Sequence, residues 1–183
     1  MSALEVSWPA DGLIAVAAGA GGHAGVKSPF ALIQEIREWL DGPLVLSGAI
    51  ATGAAVLAAQ AMGADAAYIG SAFIATTEAQ ASAHYKQMIV DSSSDDIVYS
   101  NLFTGVHGNY LKGSIRSAGL DPDALPEGDL RTMNFGGDAP KAWRDIWGSG
   151  QGIGAVHQVL PARELVARLV AEYAQARTRL ALA

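Results

Sequence analysis

Three glycine-rich segments with small polar residues are the parts of this sequence best suited to bind a ligand. Glycine lets the backbone approach a ligand closely, and the hydroxyls of Ser47 and Ser71 can donate hydrogen bonds to a phosphate. The backbone amides that follow Gly48 and Gly70 can do the same. Two successive loops of this kind predict a phosphate-binding site. The three segments are residues 19–25 (GAGGHAG), 47–53 (SGAIATG) and 70–73 (GSAF).

His23 is the candidate catalytic residue, because it follows Gly21 and Gly22 at the end of a predicted strand. An imidazole titrates near neutrality and can take or hold a proton beside a bound ligand. A lone histidine is more often structural, and that interpretation stays open for His23. We interpret the other histidines as structural, and no pair of His, Asp or Glu has the spacing of metal ligands. These other histidines are His84, His107 and His157.

The elements that position these segments form three successive βα units over residues 11–90. Apolar runs at 13–18, 44–46 and 66–69 predict strands that are covered on both faces, as in a parallel sheet. Alternating strands and helices imply right-handed crossovers, so the three glycine-rich segments follow strand ends at one edge of the sheet, where ligands bind. The first predicted helix begins at Pro29, with Ser28 as its N-cap, and ends at Gly42; its buried apolar stripe is Phe30, Ile33, Ile36 and Leu40. The second is predicted from Ala54 to Met62, and the third from Thr76 or Thr77 to about Val90.

Residues 91–183 do not continue this alternation of strands and helices, and they are predicted to be helical and irregular. The pattern predicts a strand at 97–99, a short helix after Tyr110 and a helix at 140–147 that leads into a second glycine cluster at 148–154. An amphipathic helix is predicted from Pro161 to about Leu180, with Leu165, Leu169, Tyr173 and Ala176 on its buried side.

The composition excludes several classes of protein. The net charge is −6 and the 12 Lys and Arg residues are scattered, which makes a nucleic-acid or acidic membrane surface a poor candidate. The longest apolar run, 13–20, is far shorter than the ~20 residues that span a bilayer. The chain contains no cysteine, which fits a cytoplasmic protein.

The motifs resemble those of the nitronate monooxygenases (2-nitropropane dioxygenase-like enzymes). Residues 19–25 are similar to the AGGH segment of that family, and residues 47–53 to its SGGIATG phosphate loop, with Ala49 in place of the middle glycine. Residues 62–73 resemble the family's LGAD…GTRF segment, with Ser71 and Ala72 in place of Thr-Arg. Residues 141–152 resemble the tail of one branch of the family, in which a glycine–glutamine cluster closes over the flavin.

The resemblance implies an FMN enzyme on a TIM barrel of which only the last three βα units are present, with a mainly helical C-terminal subdomain. It implies that Gly21 and Gly22 line the isoalloxazine and that Gln151 belongs to the covering cluster. His23 would act near flavin N5, as the base that deprotonates a nitroalkane or as the cation that steadies a nitronate, and O2 would complete the oxidation. By the same resemblance the phosphate would be held by Ser47, Gly48, Ala49, Gly70 and Ser71.

A TIM barrel needs eight βα units in ~250 residues, and this chain has 183. The family's first-strand glycine loop, the asparagine after its third strand and its fifth-strand lysine are missing. We therefore expect a fragment, a truncated reading frame, or a reduced relative that completes its sheet differently. Three parallel strands leave two open edges, and the partners of Val16, Leu44, Leu46 and Tyr68 across the barrel would be lost, so we expect marginal stability, self-association or pairing with a missing N-terminal half.

Three alternatives to an active nitronate monooxygenase stay open. The first is an FMN-dependent enoyl-thioester reductase on the same fold. The second is a non-catalytic remnant that binds a phosphate compound or a partner. The third is a structural piece that completes a barrel with another chain.

Overall fold

The computed structural model describes residues 11–128 and 143–181. It has the α/β character that the sequence predicts. The strands are β1 (Leu13–Val16), β2 (Gly22–His23), β3 (Leu44–Ser47), β4 (Ala66–Tyr68), β5 (Ile97–Ser100) and β6 (Gly108–Leu111). The helices are α1 (Pro29–Arg37), α2 (Gly53–Ala61), α3 (Ser71–Ile74), α4 (Ala83–Val90), α5 (Lys112–Ser117) and α6 (Ala162–Ala181).

The three predicted strands pair as one parallel sheet in the order β1-β3-β4. Ala15 pairs with Leu46, and Leu46 pairs with Ala67. All three strands therefore end at the same edge, and the three glycine-rich turns leave the sheet side by side.

Helix α1 begins as predicted, because the Ser28 hydroxyl accepts a hydrogen bond from Phe30 N at 3.2 Å and Pro29 occupies the first turn. Two parts of the prediction for this helix are wrong. Phe30 is exposed, whereas Ile33 is completely buried. The helix ends at Arg37 and not at Gly42, and the Arg37 side chain binds the carbonyl of Gly42.

The helix predicted from Thr76 or Thr77 to Val90 is confirmed only over α4, and the short helix α3 lies before the predicted start. The backbone between them pairs with Leu160, which accepts from Thr77 N at 3.0 Å and donates to Ala75 O at 3.3 Å. Backbone groups that are used in this bridge cannot also form helical hydrogen bonds. The second helix begins only at Ala83, where the Ser82 hydroxyl caps it.

A second sheet, of antiparallel order β2-β6-β5, joins the first glycine-rich segment to the C-terminal part of the chain. Gly22 pairs with Asn109, and His23 pairs with Gly108. The segment 19–25, predicted to be a loop, therefore contains a short strand. The predicted strand at 97–99 and the short helix after Tyr110 are confirmed as β5 and α5, but the expectation of a mainly helical C-terminal segment omitted this sheet.

The predicted helix at 140–147 is wrong over residues 143–147, and its first three residues lie outside the described residues. Trp143 has a φ of 70°, which a right-handed helix does not allow. Its N–H donates to Ile146 O at 2.8 Å, and Gly148 forms a bridge with Tyr110. The segment is a tight turn that leads into the second glycine cluster.

The two faces of the parallel sheet differ in burial. On one face, Leu44 and Leu46 are buried under α1 and α2 with Ile33. On the other, Ile14 is 56%, Val16 41% and Tyr68 56% exposed. The expectation that Leu44 and Leu46 would lack partners is therefore wrong, and the uncovered face belongs to Ile14, Val16 and Tyr68.

Helix α6 packs on α2 with Leu165 and Ala176 buried, as the amphipathic pattern predicts. Over the described ranges, 11–128 and 143–181, no helix is both long enough and apolar enough to cross a bilayer.

Candidate functional site

The turns after β1, β3 and β4 surround a cavity of about 240 Å³ at the carboxyl end of the parallel sheet. Seven of the nine predicted site residues are among the described residues that line it, and His23 and Gln151 are not. The second glycine cluster and three aromatic residues are also part of the described wall. The predicted residues in the lining are Gly21, Gly22, Ser47, Gly48, Ala49, Gly70 and Ser71; the others are Gly19, Ala20, Ile50, Ala51, Tyr68, Ile74, Tyr85, Trp143, Gly148, Gly150 and Gly152.

The backbone around the cavity leaves little space for side chains except at Gly70. A Cβ at Gly22, where φ is 72°, would lie 2.9 Å from the Trp143 ring. A Cβ at Gly70 would meet nothing within 4 Å. Gly70 is therefore a place where a ligand can approach bare backbone.

Ala49 occupies a left-handed conformation with a φ of 53°. This conformation costs a residue with a Cβ roughly 1–2 kcal/mol and suits glycine. The residue is the one at which the sequence has alanine where the similar loops have glycine.

The first and second turns are tied together by Gly19 O, which accepts from Ala49 N at 3.2 Å and from Gln151 N at 2.9 Å. The amide after Gly48, predicted to be a phosphate donor, is thus engaged with protein, and that part of the prediction is wrong. Ser71 Oγ accepts from Gly150 N at 2.9 Å. The Ser71 hydroxyl proton is still free to be donated, since accepting that bond uses only a lone pair.

His23 lies beside the cavity but not in its wall. Its Nε2 is 2.9 Å from Thr104 Oγ1, and its ring meets Trp143 edge to face at a centroid distance of 5.7 Å. The imidazole is exposed to solvent. Trp143 lines the cavity and contacts the His23 ring. His23 was predicted to lie over the mouth of the sheet, and the Trp143 ring is what connects it to the cavity lining.

Gln151 begins a 3₁₀ helix, Gln151–Ala155, and holds the first turn through its backbone. Its side-chain Oε1 lies 2.9 Å from where a Cβ of Gly19 would be. The neighbouring Gly150 and Gly152 line the cavity in its place.

Three aromatic residues of the lining, Tyr68, Tyr85 and Trp143, were not predicted as site residues from the sequence. The Tyr85 phenol donates to Gly148 O, and its ring stacks on Trp147 at 4.7 Å. Burial raises the pKa of Tyr85 to about 12, so its phenol stays neutral at ordinary pH. Nothing in the pattern of α4 marks Tyr85, because its place depends on the glycine cluster folding back onto that helix.

The remaining histidines fit the structural interpretation where ring contacts are seen. His84 meets Trp147 edge to face at 5.4 Å, and His107 stacks on Tyr99 at 4.9 Å. Within residues 11–128 and 143–181, no three His, Asp or Glu side chains come together as a metal site.

The profile of a family described as "Nitronate monooxygenase" matches residues 1–172. A nitronate monooxygenase from Paraburkholderia phytofirmans is 29% identical over 182 residues, which is 90% of this chain and 50% of that protein. A solved nitroalkane oxidase from Streptomyces ansochromogenes is 31% identical with a TM-score of 0.75, and the match covers 94% of this chain and 54% of that one. FabK from Thermotoga maritima, at 24% identity and a TM-score of 0.72 over 94% of this chain and 57% of its own, shares the fold.

The fold is that of an α/β protein with a cavity at the carboxyl ends of parallel strands, the place where such proteins bind ligands. The chain belongs to the nitronate monooxygenase family. It spans about half the length of the curated relatives that it matches over most of its own length.

Proposed function

We propose that this chain supplies the cofactor-phosphate side of an FMN-dependent enzyme that oxidises alkyl nitronates with O2. The observation that carries the proposal is the convergence of three glycine-rich turns on one cavity. Turns of this kind gather bare backbone and hydroxyl groups where a phosphate binds in parallel α/β proteins. Membership of the nitronate monooxygenase family supports the choice of reaction.

The residues present fit a flavin phosphate. Ser47 and Ser71 offer hydroxyl groups in the lining, and Gly70 leaves open space where a side chain would otherwise be. We assign the phosphate to Ser47, Gly48 and Ala49 together with Gly70 and Ser71. Because the amide of Ala49 is engaged with Gly19 O, the hydroxyls carry more of this binding than the sequence suggested.

Gly21 and Gly22 would line the flavin ring, with Trp143 as the adjoining wall. When bound, the flavin supplies the one-electron chemistry that the amino acids lack. His23 would take the proton from the α-carbon of a nitroalkane, or stay protonated beside the anionic nitronate. Thr104, at 2.9 Å from Nε2, orients the imidazole for this role.

The uncovered face of the parallel sheet supports packing against further strands. A parallel sheet is ordinarily covered on both faces, yet Ile14, Val16 and Tyr68 are exposed here. We propose that the face is the interior of a TIM barrel whose other strands come from an N-terminal half. Light scattering of the chain with and without that half, taken from a longer relative, tests this; a complex of one copy of each is expected, and a chain that stays separate contradicts it.

Flavin binding and turnover test the reaction. FMN titration followed by flavin fluorescence should show binding to the chain alone or paired with the N-terminal half, and the loaded protein should consume O2 when a nitronate is added. His23→Ala should lower kcat at least tenfold and leave the Kd of FMN within twofold, since the imidazole does not line the cavity. His157→Ala, at an exposed histidine, is the matched control.

The proposal fails if FMN does not bind, or if His23→Ala turns over nitronate at the unaltered rate. Oxidation of NAD(P)H with an enoyl thioester, in place of nitronate-dependent O2 uptake, would assign the reductase reaction instead.

A further inference from the structure

Helix α6 reaches the turn after β3 through two charged side chains. Glu172 Oε2 accepts a hydrogen bond from Gly53 N at 2.8 Å. Arg168 Nη2 donates to Ala51 O at 3.2 Å. The two side chains lie one helical turn apart, with Arg168 Nε 3.5 Å from Glu172 Oε1, and both are mostly buried. Residues distant in the sequence by more than 100 positions thus hold the end of this turn.

Arg168 also connects the turn to the 3₁₀ helix Gln151–Ala155. Its Nη1 donates to Ala155 O at 3.4 Å, at the end of the 3₁₀ helix that carries Gly152. A Cβ on Gly152 would lie 2.8 Å from the carbonyl of Ala49. One guanidinium therefore bridges Ala51, which lines the cavity, and the segment that packs on Ala49.

The backbones of α6 and α2 are in direct contact at Gly53. A Cβ there would lie 2.0 Å from Leu169 O and 2.3 Å from Tyr173 N. With no side chain between them, a shift of α6 must move the start of α2 and the turn before it.

The Glu172 carboxylate occupies a backbone donor that a phosphate at the start of α2 would need. Gly53 N is bound to Glu172, and Ala55 N is bound to the Thr52 hydroxyl. A second anion beside this carboxylate would be repelled. On this side of the cavity the phosphate would therefore be bound by residues 47–51 of the turn and not by the amides of Gly53 and Ala55.

We propose that Arg168 and Glu172 are positioning residues for the cofactor phosphate. They do not touch it; they hold the turn at 47–53 in the shape that receives it. The inference rests on the proposed function, since it assigns the cavity to a flavin phosphate.

FMN and riboflavin provide the test, because the two ligands share the flavin ring and only FMN carries the phosphate. The wild-type chain, alone or paired with its N-terminal half, should bind FMN more tightly than riboflavin. Glu172→Ala and Arg168→Ala should each weaken FMN binding about tenfold, as expected for the loss of a hydrogen bond to a charged group, and change riboflavin binding less than twofold. Glu172→Gln keeps an acceptor for Gly53 N and should recover most of the FMN affinity.

Glu164→Ala, an exposed acidic residue in the first turn of the same helix, is the matched control and should leave both affinities unchanged. If Glu172→Ala does not fold, Arg168→Lys carries the test, because a lysine keeps the charge but cannot bridge both carbonyls. Equal losses for FMN and riboflavin, or a preserved preference for FMN, would overturn the positioning role. A wild-type chain that binds both flavins equally would overturn the phosphate assignment itself, whatever the variants do.

Discussion

The two ends of the parallel sheet are built in opposite ways. At the amino end, the Arg37 guanidinium donates to the carbonyls of Gly63, Leu40 and Gly42 at 2.8, 3.0 and 2.8 Å, and to Asp65 at 2.7 Å. At the carboxyl end, bare turns surround a cavity. Charged side chains satisfy the backbone at one end, whereas the other end leaves space and hydroxyl groups for a ligand.

The difference separates stability from binding within a single sheet. Changes at the amino end should alter the free energy of unfolding and leave ligand affinity intact. Changes that fill the space of the cavity at the carboxyl end should do the reverse. The first two predictions below test this division, and the others test single contributions to stability at either end.

Arg37→Ala should have the largest effect on stability. It removes four hydrogen bonds around a mostly buried guanidinium, and we expect a loss of about 2–3 kcal/mol in the free energy of unfolding. Urea denaturation measures this loss. Arg163→Ala, at a fully surface position, should change stability by less than about 0.5 kcal/mol. An Arg37→Ala variant as stable as this control would show that the amino-end contacts contribute nothing.

Gly12→Ala and Gly70→Ala should give opposite results. A Cβ on Gly12 would lie 2.5 Å from Pro43 O, so we expect a loss of about 1–3 kcal/mol in stability with unchanged FMN affinity. A Cβ on Gly70 meets no protein atom within 4 Å but enters the cavity lining. The stability of Gly70→Ala should therefore be unchanged, while the Kd of FMN should rise about tenfold. The same response in both variants would contradict the division.

Tyr85→Phe should weaken the dependence of stability on pH in alkali. Burial raises the pKa of Tyr85 from 10.0 to about 12 in the folded chain. The contribution of the neutral Tyr85 phenol to the free energy of unfolding is fully present below about pH 10. It is lost as pH rises from about 10 to about 12, because Tyr85 deprotonates first in the unfolded chain. The midpoint temperature of thermal unfolding should fall less steeply across this pH range for Tyr85→Phe than for the wild type. Burial also raises the pKa of Tyr110, so some decline should remain.

Asp65→Asn should alter the acid limb instead. The hydrogen bond from Leu44 N, and then Arg37, hold the pKa of Asp65 below its ordinary value of 3.8. The stabilisation is present above that value and is lost as pH falls through the folded pKa. Unfolding midpoints measured from about pH 5 to about pH 2, the range in which carboxyl groups titrate, should decline less in Asp65→Asn than in the wild type. The same decline in both proteins at acid pH would mean that the Asp65–Arg37 pair does not contribute to stability.

Ala49→Gly should have the smallest effect, a gain of stability at the carboxyl end. Relief of the left-handed strain exceeds the added entropy of an unfolded glycine, so we expect a gain of about 0.5–1 kcal/mol. Ala54→Gly, within α2, is the comparison and should lose about 1 kcal/mol. A loss at both positions would show that Ala49 is not strained.

Local signals predicted the elements well. The apolar runs and the Ser28–Pro29 cap gave the three strands and the start of α1, since strand faces and caps depend on residues a few positions apart. The helix predicted from Thr76 or Thr77 begins only at Ala83, because Leu160, far along the chain, pairs with the backbone at residues 75–77. The prediction that Phe30 is buried was wrong, because periodicity identifies the apolar face of a helix but does not show how much of that face is covered.

The sequence by itself determined that three glycine-rich turns follow three parallel strands, because strand, turn and cap signals act between near neighbours. Only the tertiary structure decided that Tyr85 and Trp143 line the cavity, that His23 lies one ring outside its wall, and that Gly19 O engages the Ala49 amide. The physical reason is that these contacts join segments distant along the chain. Their distances are set by how helices and sheets pack, which no local pattern of residue types records.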